Sequence, residues 1–383
     1  MKSAIERESA ALLPVYPQLP IVPVSAEGCE LETADGRRIL DLYGGHAVAA
    51  LGYGHPVLTD AICRQARELI FQSNAVALDV RATATERLLS VAPAHLTRAF
   101  FVTSGAEANE NALRLACSLT GRRKVLALTH GFHGRTAAAA AVTYGSSDSW
   151  YGFPETPFDV DFIPRDDAAA AQALIDDSVA AVIFEPVQGI AGAYALADEF
   201  VQTLREATSA VGAMLIADEV QCGMGRTGAF FAVTDCAVEP DMLTNAKALG
   251  GGLPCAVLLT TEAVASRVRL GQLGSTFGGG PVAAAAVCAV IDTIEKEALL
   301  DNARRREQQV RDTCVRGPVE GVQGRGLLLG LKLSGSAAKL QALLLEKGLL
   351  TGTSSDKQVL RLLPPLNVSA EHIDRLSTAL GEL

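Results

Sequence analysis

From residue 100 onward, short apolar runs recur between longer stretches of helical period: Phe100-Phe-Val, Lys124-Val-Leu-Ala-Leu, Ala180-Ala-Val-Ile-Phe, Ala213-Met-Leu-Ile-Ala and Ala256-Val-Leu-Leu. Runs this short suit strands covered on both faces better than buried helices. Strands that alternate with helices pair in parallel, because each helix carries the chain back to the same end of the sheet. The expected fold is α/β, a mainly parallel central sheet clothed by helices, followed by a smaller α+β domain. Ligands of such sheets bind at the carboxyl ends of the strands. Polar motifs placed just after the runs are therefore expected to converge.

Around this frame the chain reads as three pieces: an arm and part of the small domain over 1–45, a large domain over 46–282, and a small domain with its linking helix over 283–383. Pro14, Pro17, Pro20 and Pro23 make the arm extended. The segment 28–36 predicts a hairpin with an Asp-Gly turn. The glycine-rich segment 40–56 also carries Tyr43, His46, Tyr53 and His55, a mixture that suits a loop lining a site. Helices are predicted over 57–71, 80–91, 335–347 and 369–382, with one long alanine-rich helix from Pro281 to about 315. Strands are predicted over 326–333 and 359–363.

A formal net charge of −10 excludes a nucleic-acid partner, which requires clustered Lys and Arg. No apolar run reaches the length of a membrane span, and no apolar stretch follows the N-terminus, so a membrane or signal segment is not expected. The eight cysteines show no CxxC spacing, which predicts buried, reduced thiols in a cytoplasmic protein and no metal site.

Four motifs follow the apolar runs. Thr103-Ser-Gly-Ala-Glu-Ala-Asn-Glu opens a helix, where Ser104, Gly105 and Ala106 offer a hydroxyl and N–H groups to an anion; it equally spells an ordinary Ser-x-x-Glu cap. In Thr129-His-Gly-Phe-His-Gly-Arg-Thr, Phe132 offers a face to a planar ligand and Arg135 a fork for a carboxylate. Two runs end in acids, Glu185 in Phe-Glu-Pro-Val-Gln-Gly and Asp218 in Ala-Asp-Glu-Val-Gln; a carboxylate there is costly unless paired. Asp218 suits a protonated ring nitrogen and Gln221 a ring hydroxyl. Gly274-Ser-Thr-Phe-Gly-Gly-Gly adds Ser275 and Thr276 before another helix start. Lys247 lies between an apolar run and three glycines; partly desolvated, its neutral amine attacks a carbonyl. Singly, each is an ordinary cap, loop or surface charge. Together they describe a planar, phosphorylated aldehyde with a ring nitrogen, pyridoxal 5′-phosphate.

At this point the chain resembles the class III, subgroup II aminotransferases of PLP fold type I, and within them the acetylornithine aminotransferases. The resemblance runs from Leu40-Asp-Leu to Leu363-Pro-Pro-Leu and rests on Phe101-Val-Thr-Ser-Gly-Ala-Glu-Ala-Asn-Glu, Gly131-Phe-His-Gly-Arg-Thr, Asp218-Glu-Val-Gln and Ala246-Lys-Ala-Leu-Gly-Gly-Gly. It implies that Lys247 bonds the cofactor and carries the proton, that Asp218 and Gln221 hold the ring, and that Phe132 stacks on it. It further implies a phosphate held by Ser104, Gly105, Ala106 and a partner subunit's Thr276, hence a homodimer with sites shared across the interface. Substrate carboxylates fall to Arg135 and Arg361, with Glu185 and Ser275 as further substrate contacts.

The implied reaction moves the terminal amino group of an N2-acylornithine to 2-oxoglutarate, in arginine biosynthesis. Succinylornithine, ornithine, 4-aminobutyrate and acyl-lysine-pathway aminotransferases share the frame, as does an aminomutase that needs no oxo-acid. One position departs from the resemblance. Most relatives carry a glutamate after Glu-Pro-Val-Gln-Gly, and it pairs with the arginine matched by Arg361; here the residue is Ile190. An arginine left without that acid suits a neutral or acidic acylated donor and disfavours a free ammonium tail.

Overall fold

The computed structural model describes residues 3–383. Its centre is a seven-stranded sheet in the order Leu96–Val102, Ala256–Thr261, Met242–Asn245, Met214–Asp218, Val179–Phe184, Lys124–Leu128, Asp159–Ile163. All strands run the same way except Ala256–Thr261, which is antiparallel to both neighbours. Period-two alternation sends one strand into two cores. Leu215 and Ala217 join Phe200 and Leu204 of helix Asp198–Val211 and Val290 of helix Pro281–Lys296. Met214 and Ile216 join Ala112 and Leu113 of helix Gly105–Thr120. Helices thus cover both faces, and Val179–Phe184 is buried at every position.

The two ends of the chain meet. Glu30–Thr33 and Arg38–Asp41 form the hairpin around Gly36, whose φ of 80° is open to glycine. Arg38–Asp41 then pairs in parallel with Leu349–Leu350. Val319–Arg325, Leu328–Leu333, Val359–Leu362 and Gly352–Thr353 make a separate antiparallel sheet in that order. Among the described residues no helix is long and apolar enough to cross a membrane, and all eight thiols are free.

Three expectations need correction. The helix expected over 281–315 is two, Pro281–Lys296 and Leu299–Thr313, broken where Ala298 turns left-handed at φ 51°. The arm is not only extended: Ala4–Ala11 is helical, closed by a Ser3/Glu6 capping box. Two strands of the central sheet escaped the pattern. Asp159–Ile163 sits at a sheet edge and mixes acids with apolar residues, and Met242–Asn245 is short and ends in buried polar side chains.

Candidate active site

The strand ends converge on one cleft of about 450 Å³. Lys247 follows Met242–Asn245 and opens a tight turn, Lys247–Gly250. Its φ of 46° is left-handed, a conformation that costs a residue with a Cβ about 1–2 kcal/mol. The turn is closed by Leu249 N–H to the Ala246 carbonyl and Gly251 N–H to the Ala248 carbonyl, each at 3.0 Å. Strain kept by such a frame is common where a side chain must be aimed. The Lys247 side chain enters the cleft beside Asp218, Glu185 and Phe132. Burial lowers its pKa, Asp218 and Glu185 oppose this, and Arg361 adds to it.

Asp218, the last residue of its strand, is 3% exposed and fully engaged. Its Oδ2 accepts from Asn109 Nδ2 at 2.7 Å and faces His133 Nδ1 at 2.8 Å; Oδ1 accepts the Val220 N–H at 3.0 Å. A carboxylate only accepts, so the imidazole nitrogen that faces it, Nδ1, carries a proton. Asn109 is fixed in turn by the Thr244 hydroxyl at 2.6 Å and the His133 carbonyl at 2.8 Å. Glu185 is also buried, accepting the Phe132 N–H at 2.9 Å and the Gly189 N–H at 3.2 Å. Burial pushes its carboxyl up to about 7, with His133 opposing and Asp218 adding.

At the other end of the cleft, Ser104, Gly105 and Ala106 head the helix Gly105–Thr120. The capping reading holds locally, and it leaves N–H groups open toward the cleft. Ser104 Oγ accepts the Glu107 N–H, while the Glu107 carboxylate takes the N–H groups of Thr103 and Ser104. Among the described residues the N–H groups of Gly105 and Ala106 meet no protein acceptor. Gln221 leaves its Oε1 buried without a donor. It also lies against Gly189, where any Cβ would overlap the amide. An anion seat, an aromatic wall at Phe132, an unpartnered acceptor and a buried acid facing one amine together fit pyridoxal 5′-phosphate.

The remaining expected residues are less uniform. Arg135 lies at the cleft mouth, its guanidinium 5.7 to 5.8 Å from the rings of Tyr16, Phe132 and Trp150, with Tyr16 Oη at 3.0 Å. Arg361 is buried behind the cleft rather than lining it. It donates to the Thr353 carbonyl at 2.7 Å, the Gly189 carbonyl at 3.3 Å and Tyr43 Oη at 2.7 Å. All three partners are neutral oxygens, and Ile190 lines the cleft where an acid would stand. Ser275 and Thr276 are not brought to this cleft within the chain: Ser275 Oγ accepts the Gly278 N–H at 3.1 Å, and Thr276 is exposed. Asn109 and His133 were not singled out from the sequence. Asn109 lies one turn into the helix that Gly105 opens, and only the fold brings it to Asp218.

The class-III aminotransferase family profile matches residues 14–383. An acetylornithine aminotransferase of Archaeoglobus fulgidus is 38% identical over 374 residues, covering 97% of both chains. The solved N-acetylornithine aminotransferase of Stenotrophomonas maltophilia superposes with a TM-score of 0.84 at 31% identity, over 99% of this chain and 97% of that one. An ornithine aminotransferase of Toxoplasma gondii, described with PLP at its active site, gives 0.91 at 27% identity over 99% and 93%. A match that spans nearly the whole chain and a cleft whose open groups fit the cofactor lead to one conclusion: this chain is a member of the class-III aminotransferases, which are PLP-dependent transaminases.

Proposed function

We propose that the chain transfers the terminal amino group of an N2-acylornithine, acetylornithine first, to 2-oxoglutarate, giving N-acyl-glutamate 5-semialdehyde and glutamate in arginine biosynthesis. The observation that carries the reading is Lys247 entering one cleft with an Asp218 clamped by Asn109 and His133. The relatives' names support the donor class.

Asp218 would hold the cofactor's ring nitrogen, Gln221 its ring oxygen, and Phe132 its face. Ser104, Gly105, Ala106 and Thr276 of the partner subunit would hold its phosphate. The chemistry supplied by the bound cofactor is stabilisation of a carbanion at the donor's reacting carbon. Lys247 takes the proton from that carbon and returns it on the far side of the transfer, a role that its lowered pKa favours. Arg135, at the mouth, binds the donor's α-carboxylate. Arg361, held by neutral oxygens, keeps its charge for a carboxylate of 2-oxoglutarate. Glu185 positions the Phe132 and Gly189 backbones and so shapes the wall that the substrate meets. Completion of the phosphate seat by Thr276, exposed within one chain, calls for a homodimer, and thiols left free suit the cytoplasm.

The test is a donor panel of acetyl-, succinyl- and free ornithine and 4-aminobutyrate with 2-oxoglutarate, read as kcat/KM. Acylated ornithines are expected to lead. A preference for free ornithine, or turnover without any oxo-acid, sinks the reading.

A further inference from the structure

Beside the cleft lies a second cavity of about 570 Å³, and the two share Phe132, Arg135 and Ile190 as a common wall. The far side of this cavity carries Arg165, His130, Tyr144 and Asp356. Arg165 is half-buried. Its guanidinium lies 3.8 Å over the Tyr194 ring, and among the described residues its only polar side-chain contact is a long one, 3.4 Å to Gln188 Oε1. Its neighbour Asp166 is occupied elsewhere, accepting from Tyr194 Oη at 2.8 Å and the Ala197 N–H at 3.0 Å. Asp356 takes the Gln358 N–H at 2.9 Å. No carboxylate stands within ion-pair distance of Arg165 or Arg135 among the described residues. Burial lowers the His130 pKa, Arg165 lowers it further and Asp356 opposes, so the imidazole adds no lasting charge near neutrality. The cavity therefore holds two guanidiniums against one carboxylate. Stacking on Tyr194 fixes the plane of Arg165 and leaves its donors to serve an anion that the chain does not supply.

We propose that this cavity seats a carboxylate at the end of the donor's acyl tail, with Arg165 as the residue that reads it. The inference rests on the N2-acylornithine reading. A donor whose α-carboxylate lies on Arg135 stands at the shared wall. Its amino end then points toward Lys247, and the substituent on its α-nitrogen points into the second cavity. A tail with a terminal carboxylate reaches a positive, partly dry seat; an acetyl tail leaves that seat to water.

The experiment compares N2-succinylornithine with N2-acetylornithine on the holoenzyme, by kcat/KM with 2-oxoglutarate and by calorimetric binding. Wild type is expected to turn over both donors and to bind the succinyl donor more tightly. Loss of one charge-assisted contact in Arg165→Gln should cut its kcat/KM by about ten- to hundredfold. Acetyl turnover should stay within about twofold and serves as the folding control. Arg165→Lys should recover part of the loss, and Arg165→Glu should deepen it. Equal losses for both donors, an unchanged succinyl rate, or a change confined to the KM for 2-oxoglutarate overturns the proposal. Failure of the function itself reads differently, as no turnover of either acylated donor by wild type. Binding then still decides: equal affinities for the two tails overturn the seat, and a succinyl preference lost in Arg165→Gln upholds it.

Discussion

Asp218 is held by donors from three places in the chain: Asn109 on a helix, His133 on a loop and the Val220 backbone. Asn109→Ala removes one of these and strands the Thr244 hydroxyl as well. We expect kcat to fall about ten- to hundredfold while the cofactor stays bound, the size expected of one hydrogen bond to a charged group. An unchanged kcat would show that Asp218 needs no such clamp. Lys247→Ala tests the amine directly. It should retain cofactor without the covalent link, seen as a changed absorption band, and lose at least about 10²–10⁴-fold in turnover. Both motifs were readable as local patterns of residue type. The clamp was not, because Asn109 and Asp218 are far apart in sequence and meet only through the sheet.

At the scale of elements, the strands buried on both faces were legible from their apolar runs. Asp159–Ile163, exposed on an edge, and Met242–Asn245, closed by polar residues, were not. The break at Ala298 was hidden for a related reason: helical periodicity continues on both sides, and no Gly or Pro marks the turn. Ala298 is exposed and left-handed, so its Cβ is strained without compensating packing. Ala298→Gly should raise stability by about 0.5–1 kcal/mol, the relief of left-handed strain less the entropy of glycine. Denaturant unfolding of the variant checks this, and a destabilised variant would mean that the bend is not strained.

Across the whole molecule, burial of acids gives stability a pH dependence. Glu219 is buried, accepting the N–H groups of Ala232 at 2.7 Å and Val233 at 2.8 Å, and burial pushes its carboxyl from 4.5 up to about 7. Glu185 shifts the same way. As pH rises from 4.5 to 7 the unfolded chain releases these protons while the folded chain keeps them. Their contribution is therefore full below 4.5 and is lost as pH rises through 7. Thermal midpoints of Glu219→Gln should show a flatter decline over that window than wild type. Parallel curves would place the slope elsewhere. Which acids are buried this deeply is a property of the packed whole. Glu185 and Glu219 each follow an apolar strand in the sequence, yet nothing local says how little water reaches them.

The sequence by itself determined the layered α/β frame and the residue types at the strand ends, because apolar period and turn chemistry are local. It also placed Lys247 before its glycines and identified Ile190 as the position where an acid is missing. Only the tertiary structure decided that Arg361 is held by Tyr43 and two carbonyls, that Asn109 and His133 clamp Asp218, and that Arg165 lies over the Tyr194 ring beside the cleft. Each of these depends on groups separated by tens to hundreds of residues. Their meeting is fixed by sheet order and packing, which no short stretch of chain encodes.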